Sequence, residues 1–269
     1  MSDVPGAPEP TESSEPSEPL DAGAVAPAPM PSQLTARTFA GWPAWADLPL
    51  DVVSYGPDCP NETQLRLLGR LEGKRVLELG CGGGPLSVAM AKQGAKVISV
   101  DSSAEQIGHA RRLGEREEVT LELHQGDLAD LAFIRADTID LAVSVYALGM
   151  VGDLDRVFRQ VHRVLRPDAP FVISLAHPAW RASDSGGPPA IRRTYWDPTP
   201  IPWTDAGERG ADHPVTVSAL FTSLQRANFQ VDTLLEPEPP VSGARSRWWQ
   251  PAMAWLPATL IVRARKLGT

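Results

Sequence analysis

A glycine-rich loop is the first part of the sequence whose residue types could bind a ligand. Residues 75–84 read RVLELGCGGG, so a short apolar run is followed at once by closely spaced glycines. Glycines at the end of a strand permit a tight turn and let a ligand approach the backbone closely. The loop therefore predicts a ligand site at the end of a strand.

Two aspartates follow the next two apolar runs and could hold other parts of the same ligand. Asp101 comes directly after KVISV and stands 21 residues beyond Gly80, a spacing at which an acid can accept hydrogen bonds from a ribose diol. Asp127 comes shortly after VTLELH and could accept from an exocyclic amine, while Leu128 packs on a flat base. Because open α/β sheets bind ligands at the carboxyl ends of their strands, the glycines and the two acids predict a nucleoside site.

The elements that must position these residues alternate along the chain. Seven runs are predicted as strands, namely 75–79, 96–100, 119–124, 138–148, 170–176, 229–235 and 258–264. Helices are predicted from Asn61 (with Leu65, Leu67, Leu68 and Leu71 as its apolar residues) and over 84–93, 102–112, 154–165 and 216–227. This alternation predicts an α/β fold with a parallel sheet. No clear helix separates the last two strands, so an antiparallel edge is expected there.

The spacing of the glycines separates two kinds of nucleotide. A dinucleotide fingerprint needs Gly-x-Gly-x-x-Gly/Ala. If the pattern starts at Gly80, its last position is Pro85, and if it starts at Gly82, its last position is Ser87, so neither alignment fits. The pattern Glu-x-Gly-x-Gly-x-Gly is instead filled completely by Glu78, Gly80, Gly82 and Gly84. With VISVDSS and QGDL, these residues make the chain resemble the class I S-adenosylmethionine-dependent methyltransferases. The resemblance is closest to their type 11, quinone-biosynthesis-like branch.

This resemblance covers about residues 70–176 and, in outline, 216–264. It implies a Rossmann-like, doubly wound sheet of seven strands, mostly parallel with an antiparallel last strand, and helices on both faces. It also implies S-adenosyl-L-methionine as the cofactor and methyl transfer to a small-molecule acceptor by in-line displacement.

The resemblance further implies roles for residues of the glycine loop and the second strand. Gly80 and Gly82 are expected to lie against the methionine moiety and the ribose. Glu78 is expected to help hold the methionine ammonium, directly or through water. Asp101 is expected to take the ribose hydroxyls, with Ser102 beside it.

Other roles fall on residues further along the chain. Asp127 is expected to accept from the adenine amine, with Leu128 on the base. Val145 and Tyr146 are expected to line the methionine side of the site. Tyr55 belongs to a segment that such enzymes fold over the cofactor.

Several of these residues also have a plainer interpretation. Asp127 could cap a short turn, and Asp101 could cap the following helix. Glu78 could form an ion pair at the end of its strand. Tyr55 could be an aromatic residue that fastens a loop to the core.

A general base is needed only if the acceptor must lose a proton. Among the five histidines, only His177 follows a strand on the expected catalytic edge, and Tyr146 is a second candidate. Aromatic residues of the variable segments could stack on a flat or apolar acceptor, or could fasten loops instead. They are Trp42, Trp45, Trp180, Trp196 and Trp203.

Composition bounds the domain organisation. Residues 1–36 are rich in proline and hold six acids and no base, so the formal net charge of -8 leaves the remaining chain near -2. We expect 1–36 to be a disordered tail and 37–269 to be a single domain. Within it, 37–72 is expected to form an N-terminal cap and 177–215 a substrate-side insertion.

Composition also excludes several classes of protein. No stretch approaches the ~18 apolar residues that span a bilayer. The two cysteines cannot build a disulfide framework or a Cys-based zinc site, so we expect a cytoplasmic protein without a metal. The near-neutral body gives no basic surface for nucleic acid.

Several functions remain open from the sequence alone. A small-molecule methyltransferase is the leading hypothesis. An RNA-nucleoside methyltransferase on the same fold and a non-catalytic nucleoside-binding or interaction protein are the alternatives. A nicotinamide oxidoreductase is disfavoured by Glu78 and by the two failed dinucleotide registers.

Overall fold

A seven-stranded sheet organises the computed structural model, which describes residues 48–183, 189–205, 208–241, 245–246 and 248–268. The tail 1–36, Trp42 and Trp45 lie outside these residues. The sheet strands are β1 (Arg75–Leu79), β2 (Lys96–Asp101), β3 (Leu121–Gln125), β4 (Leu141–Val145), β5 (Pro170–Ala176), β8 (Phe229–Leu235) and β9 (Thr259–Lys266). A separate two-stranded hairpin consists of β6 (Ile201–Asp205) and β7 (Glu208–Asp212).

The strand order in the sheet is β3-β2-β1-β4-β5-β9-β8. The first five strands of this order pair in parallel. Strand β9 lies between β5 and β8 and is antiparallel to both. The predicted mostly parallel sheet with an antiparallel last strand is therefore confirmed.

Helices cover both faces of this sheet. They are α1 (Glu62–Leu65), α2 (Pro85–Lys92), α3 (Ala104–Arg116), α4 (Leu154–Val164), α5 (Pro178–Ala182) and α6 (Val217–Arg226), with 3₁₀ turns at Leu148–Met150 and Pro251–Ala254. Two apolar clusters result because successive strand residues point to opposite faces. Leu77 belongs to the cluster that contains the buried residues of α4 and α6, and Val76 belongs to the cluster that contains Leu86, Ala89 and Met90 of α2.

The helix predicted from Asn61 is much shorter than expected. Asn61 caps it as predicted, but the helix ends after one turn at Arg66, whose φ is 52°. The Glu62 carboxylate accepts the backbone N–H groups of Leu67 and Leu68, at 2.8 and 2.9 Å. These side-chain hydrogen bonds replace the helical ones, and both leucines are buried without continuing the helix.

The hairpin β6–β7 was not predicted, because no strand was expected within the substrate-side insertion 177–215. The hairpin is relevant to the site because it lies beside the carboxyl end of β4. The backbone N–H of His213, the residue after β7, donates to the carbonyl of Gly149 at 2.7 Å. Within the described part of the chain, no helix combines the length and the apolar character needed to cross a bilayer.

Candidate functional site

A cavity of about 930 Å³ lies at the carboxyl ends of β1, β2, β3 and β4. It is the edge at which the sequence places its acids and glycines. The residues of the predicted cofactor set that line it are Gly80, Gly82, Asp101, Ser102, Asp127, Leu128, Val145 and Tyr146. Residues from distant parts of the sequence thus meet in one cavity because their strands end side by side.

Gly80 shows why the loop after β1 needs glycine. Its φ is +75°, a region that residues with side chains rarely adopt, and a Cβ there would lie 2.0 Å from the Cβ of Ala147. The loop therefore passes against the exit of β4 with no room for a side chain. This close approach leaves the backbone of the loop as part of the cavity wall.

Asp101 fixes the glycine loop to the start of α3. Its Oδ2 accepts the N–H of Gly82 at 2.8 Å, and its Oδ1 accepts the N–H of Ser103 at 2.9 Å. Ser103 is the residue that caps α3 through its side chain, so Asp101 is not the cap. Each carboxylate oxygen can accept a second hydrogen bond, so the group can still receive hydroxyl donors from the cavity.

Asp127 closes a turn through one carboxylate oxygen and keeps the other towards Arg156. Its Oδ1 accepts the N–H of Ala129 at 2.9 Å, which forms a short turn after β3. Its Oδ2 lies 3.7 Å from Nη1 of Arg156, and both side chains are more than half exposed. Leu128 beside it is buried and lines the cavity.

Glu78 lies under the glycine loop and is not among the residues that line the cavity. It is buried on β1 and accepts a hydrogen bond from the hydroxyl of Ser87, which lies 2.8 Å from the hydroxyl of Ser99. Burial, partly opposed by the hydrogen bond from Ser87 and assisted by the nearby charge of Asp101, raises the pKa of the Glu78 carboxyl to about 8. Within the described residues Glu78 has no ion pair, so it is largely a neutral acid near pH 7.

Tyr146 has an unusual backbone at the exit of β4. Its φ is 60°, which is uncommon for a bulky residue. Its N–H donates to the carbonyl of Ser174 at 2.7 Å, and its hydroxyl lies 2.7 Å from the hydroxyl of Thr259. Burial raises the pKa of the Tyr146 phenol above its ordinary value. The ring is thus held as a neutral phenol in the cavity wall.

Tyr55 and Gly84 lie behind the cavity wall. Tyr55 is completely buried, and its hydroxyl donates to the carboxylate of Glu62 at 2.6 Å. The backbone carbonyl of Tyr55 accepts from the hydroxyl of Ser174, which fastens this segment to β5. Gly84 caps α2 without a side chain and faces Ala110 on α3.

His177 is also placed outside the cavity wall, at the start of α5. Its Nδ1 accepts the N–H of Ala179 at 3.1 Å, so its Nε2 carries the proton and donates to Glu236 at 2.7 Å. Burial lowers the pKa of His177, and the hydrogen bond to Glu236 partly opposes this shift. The imidazole therefore joins the exits of β5 and β8.

The hairpin supplies lining residues that sequence reasoning missed. Trp203 was named among the aromatic candidates, but Arg209, Gly210 and Ala211 of β7 were not, and all four line the cavity. The sequence carries little signal for this hairpin, because Ala206-Gly207 is not one of the typical two-residue turns and the run ERGAD does not alternate apolar and polar residues.

Comparison with known sequences agrees with this geometry. Residues 76–168 match the family described as a methyltransferase domain. A ubiquinone biosynthesis O-methyltransferase of Hahella chejuensis is 35% identical over 104 residues, which are 39% of this chain and 44% of the relative. A second, from Actinobacillus pleuropneumoniae, is 32% identical over 42% of this chain and 50% of its own length. The chain thus spans about half or less of the curated relatives that it matches.

Comparison with solved structures extends over more of the chain. An S-adenosylmethionine-dependent methyltransferase from Mesorhizobium loti is similar with a TM-score of 0.62 and 26% identity, over 75% of this chain and 95% of that one. The family match, this likeness and the strand order have one common explanation. Residues 76–168 match a methyltransferase domain, and the sheet that contains them has the Rossmann-like fold of the S-adenosylmethionine-dependent methyltransferases, as the motifs predicted.

Proposed function

We propose that this chain transfers a methyl group from S-adenosylmethionine to a small-molecule acceptor that binds in the same cavity. One observation carries the proposal: the cavity has two unlike ends. Loops after β1, β2 and β3 supply glycine backbone and carboxylates at one end, and β4 and the hairpin supply apolar and aromatic groups at the other. A nucleoside fits the first end, which leaves the second for an acceptor.

The described residues fit the cofactor at the nucleoside end. Gly80 and Gly82 line the cavity with backbone and carry no side chains of their own, and Asp101 is held by two N–H groups at a position where it can accept from ribose hydroxyls. Asp127 keeps carboxylate lone pairs for an exocyclic amine, and Leu128 offers an apolar surface to a base. When bound, the cofactor supplies an electrophilic methyl group.

Glu78 acts in this proposal through the loop above it. Glu78 precedes Gly80 by two residues, and its carboxyl is buried. A cation close to the glycine loop stabilises the ionised form of a nearby carboxyl. An ammonium at the methionine end of the site therefore favours release of the Glu78 proton. Glu78 is thus a positioning residue whose ionisation follows cofactor binding.

Alignment and exclusion of water are the main contributions of the protein to the reaction. Both ring nitrogens of His177 already have partners, so we do not assign it proton removal. The buried phenol of Tyr146 can orient an acceptor as a neutral hydrogen-bonding group. Segment 177–215 is proposed as the insertion that closes the acceptor end, because it includes β6 and β7.

The alternative of an RNA acceptor is weakened by ion pairing. Arg263 and Arg265, which could contribute to a basic surface, both bond to Asp232, and Lys266 bonds to Asp137. Each of these cations thus has an acidic partner within the fold, although Arg263 and Arg265 share one. A small acceptor remains the better match to the cavity.

Calorimetric titration with S-adenosylhomocysteine, with NAD in parallel, tests the proposal. We expect micromolar binding of S-adenosylhomocysteine, lost in Asp101→Ala and retained in Asp130→Ala, an exposed aspartate outside the cavity wall. Binding of NAD instead, or of neither compound, would overturn the proposal. Binding without any methyl transfer in an acceptor screen would favour the non-catalytic alternative.

A further inference from the structure

Asp127 and Arg156 lie side by side at the nucleoside end of the cavity, and both line it. Oδ2 of Asp127 is 3.7 Å from Nη1 of Arg156. This distance is too long for a hydrogen bond. The other carboxylate oxygen of Asp127 accepts the N–H of Ala129 at 2.9 Å, which fixes the carboxylate in its turn. A carboxylate oxygen and a guanidinium therefore stand next to each other in the wall without a hydrogen bond between them.

The position of Arg156 is set by α4. Its backbone N–H donates at 2.9 Å to Asp153, the residue that caps the helix, so Arg156 lies in the first turn. Within the part of the chain that the structure describes, the guanidinium makes no hydrogen bond. Its N–H groups are thus available to a ligand in the cavity.

The stability of the fold does not account for an arginine at this place. A cation in the first turn of a helix is unfavourably placed in the field of the helix dipole. The side chains of Arg156 and Asp127 are 53% and 58% exposed, and ion pairs between such exposed groups contribute about 1 kcal/mol or less. Contact with a ligand in the cavity explains Arg156 better.

Purines with different groups at position 6 need different partners. Adenine presents an amine that donates, whereas a 6-oxopurine presents an oxygen that accepts and, beside it, an N1–H that donates. A carboxylate alone matches the adenine amine, but it would face the oxygen of a 6-oxopurine as a second acceptor, which weakens binding. A carboxylate beside a guanidinium offers the 6-oxopurine an acceptor for its N1–H and a donor for its oxygen.

We infer that the base end of the cavity accepts a 6-oxopurine as well as adenine, and that Arg156 is the residue that broadens this specificity. Asp127 accepts from the adenine amine in one case and from the N1–H of the 6-oxopurine in the other, where Arg156 donates to the oxygen. This inference rests on the proposed function, because it concerns the base of the same nucleoside. It assigns Arg156 to the selection of the nucleoside and not to methyl transfer.

Calorimetric titration with S-adenosylhomocysteine and S-inosylhomocysteine tests the inference, because the two probes differ only in the purine. We expect wild type to bind the inosyl compound within about tenfold of the adenosyl compound. Arg156→Met should weaken the inosyl compound about tenfold or more and the adenosyl compound less than about threefold. Arg156→Lys should recover part of the loss, because an ammonium still donates. Asp127→Ala should weaken both compounds.

Arg159→Met is the matched control, because Arg159 is an exposed arginine of the same helix outside the cavity wall. This variant should bind both compounds as wild type does. The retained affinity of Arg156→Met for S-adenosylhomocysteine also shows that the variant is folded. A wild-type preference for the adenosyl compound beyond the expected range, or a loss in Arg156→Met that is not selective for the inosyl compound, would overturn the inference and leave the proposed function standing. Failure of wild type to bind S-adenosylhomocysteine would overturn both.

Discussion

Arg181 and Asp212 form an ion pair with an N–O distance of 2.9 Å, and both side chains are almost completely buried. The pair joins α5, which follows β5, to the last residue of β7. Arg181 also donates to the carbonyl of His213 at 3.3 Å. The hairpin, whose residues line the cavity, is therefore anchored by a buried pair of opposite charges.

Breaking this pair should be costly. Arg181→Met leaves the Asp212 carboxylate buried without its cation, and such a loss typically costs about 3–5 kcal/mol of unfolding free energy. Urea denaturation of the variant measures the change. The matched control is Arg70→Met, which breaks a pair with Glu72 whose side chains are 82% and 66% exposed. That control should cost about 1 kcal/mol or less, and an equal cost in both variants would contradict the prediction.

Gly80→Ala should damage both stability and cofactor binding. The new Cβ meets Ala147 and the backbone stays in a left-handed region, so we expect a loss of more than about 1 kcal/mol of unfolding free energy. Calorimetry should show at least a tenfold weaker affinity for S-adenosylhomocysteine.

Gly108→Ala is the matched control for that change. Gly108 lies inside α3, where a Cβ would make only an ordinary contact at 3.5 Å with Arg112. Alanine there should raise the unfolding free energy by about 0.5–1 kcal/mol and leave binding unchanged. A Gly80→Ala protein with the same behaviour would show that the loop tolerates a side chain.

Glu78 should make stability depend on pH in an unusual direction. Its pKa is about 8 in the folded protein and about 4.3 in an unfolded chain. Between these values the folded state holds a proton that the unfolded state has lost, so stability should fall as pH rises through this window. Glutamine at position 78 cannot titrate, so Glu78→Gln should flatten this part of the profile of unfolding free energy against pH. The stability of the variant relative to wild type should therefore increase as pH rises.

Urea denaturation at several pH values between about 5 and 8 measures this effect. Glu238→Gln, which changes an exposed glutamate, serves as the control and should keep the wild-type slope. Asp212 adds to the same slope, because burial raises its pKa to about 6. Parallel profiles for wild type and Glu78→Gln would show that Glu78 is already ionised in the folded protein.

His177→Asn should separate a structural role from a catalytic one. Asparagine can still cap α5 but cannot reach Glu236 as the imidazole does, so we expect a loss of about 1 kcal/mol in stability or less. The pH dependence of methyl transfer, measured with an acceptor found by screening, should keep its wild-type shape. Loss of a titration step from this profile, with stability intact, would instead identify His177 as the base.

The sequence was most informative about the strands of the sheet. Runs such as PFVISLA are buried on both faces and bounded by turn residues, so β5 begins and ends where the sequence indicates. The predicted length of the helix after Asn61 was wrong. The spacing of apolar residues cannot reveal that the Glu62 carboxylate accepts hydrogen bonds from the N–H groups of Leu67 and Leu68. Hydrogen bonds from the backbone of residues five and six positions later to one side chain decided the outcome there.

The site was predicted better in its location than in its details. Residues at strand ends, such as Asp101 and Asp127, share one edge because the topology brings strand ends together. The sequence could not show that Glu78 and Tyr55 are buried behind the wall, since their burial depends on Ser87 and Glu62. The hairpin was missed because its short, largely polar strands lack the apolar signal of the central sheet.

The position of β9 has a consequence for the order of folding during synthesis. Strand β8 is made before β9, yet β9 is its hydrogen-bonding neighbour in the sheet and separates it from β5. While the chain is still emerging from the ribosome, β8 therefore lacks the strand that it pairs with in the described sheet until residues 259–266 have left the exit tunnel. The part of the sheet from β3 to β5 can pair earlier, so the protein should fold in two stages on the ribosome.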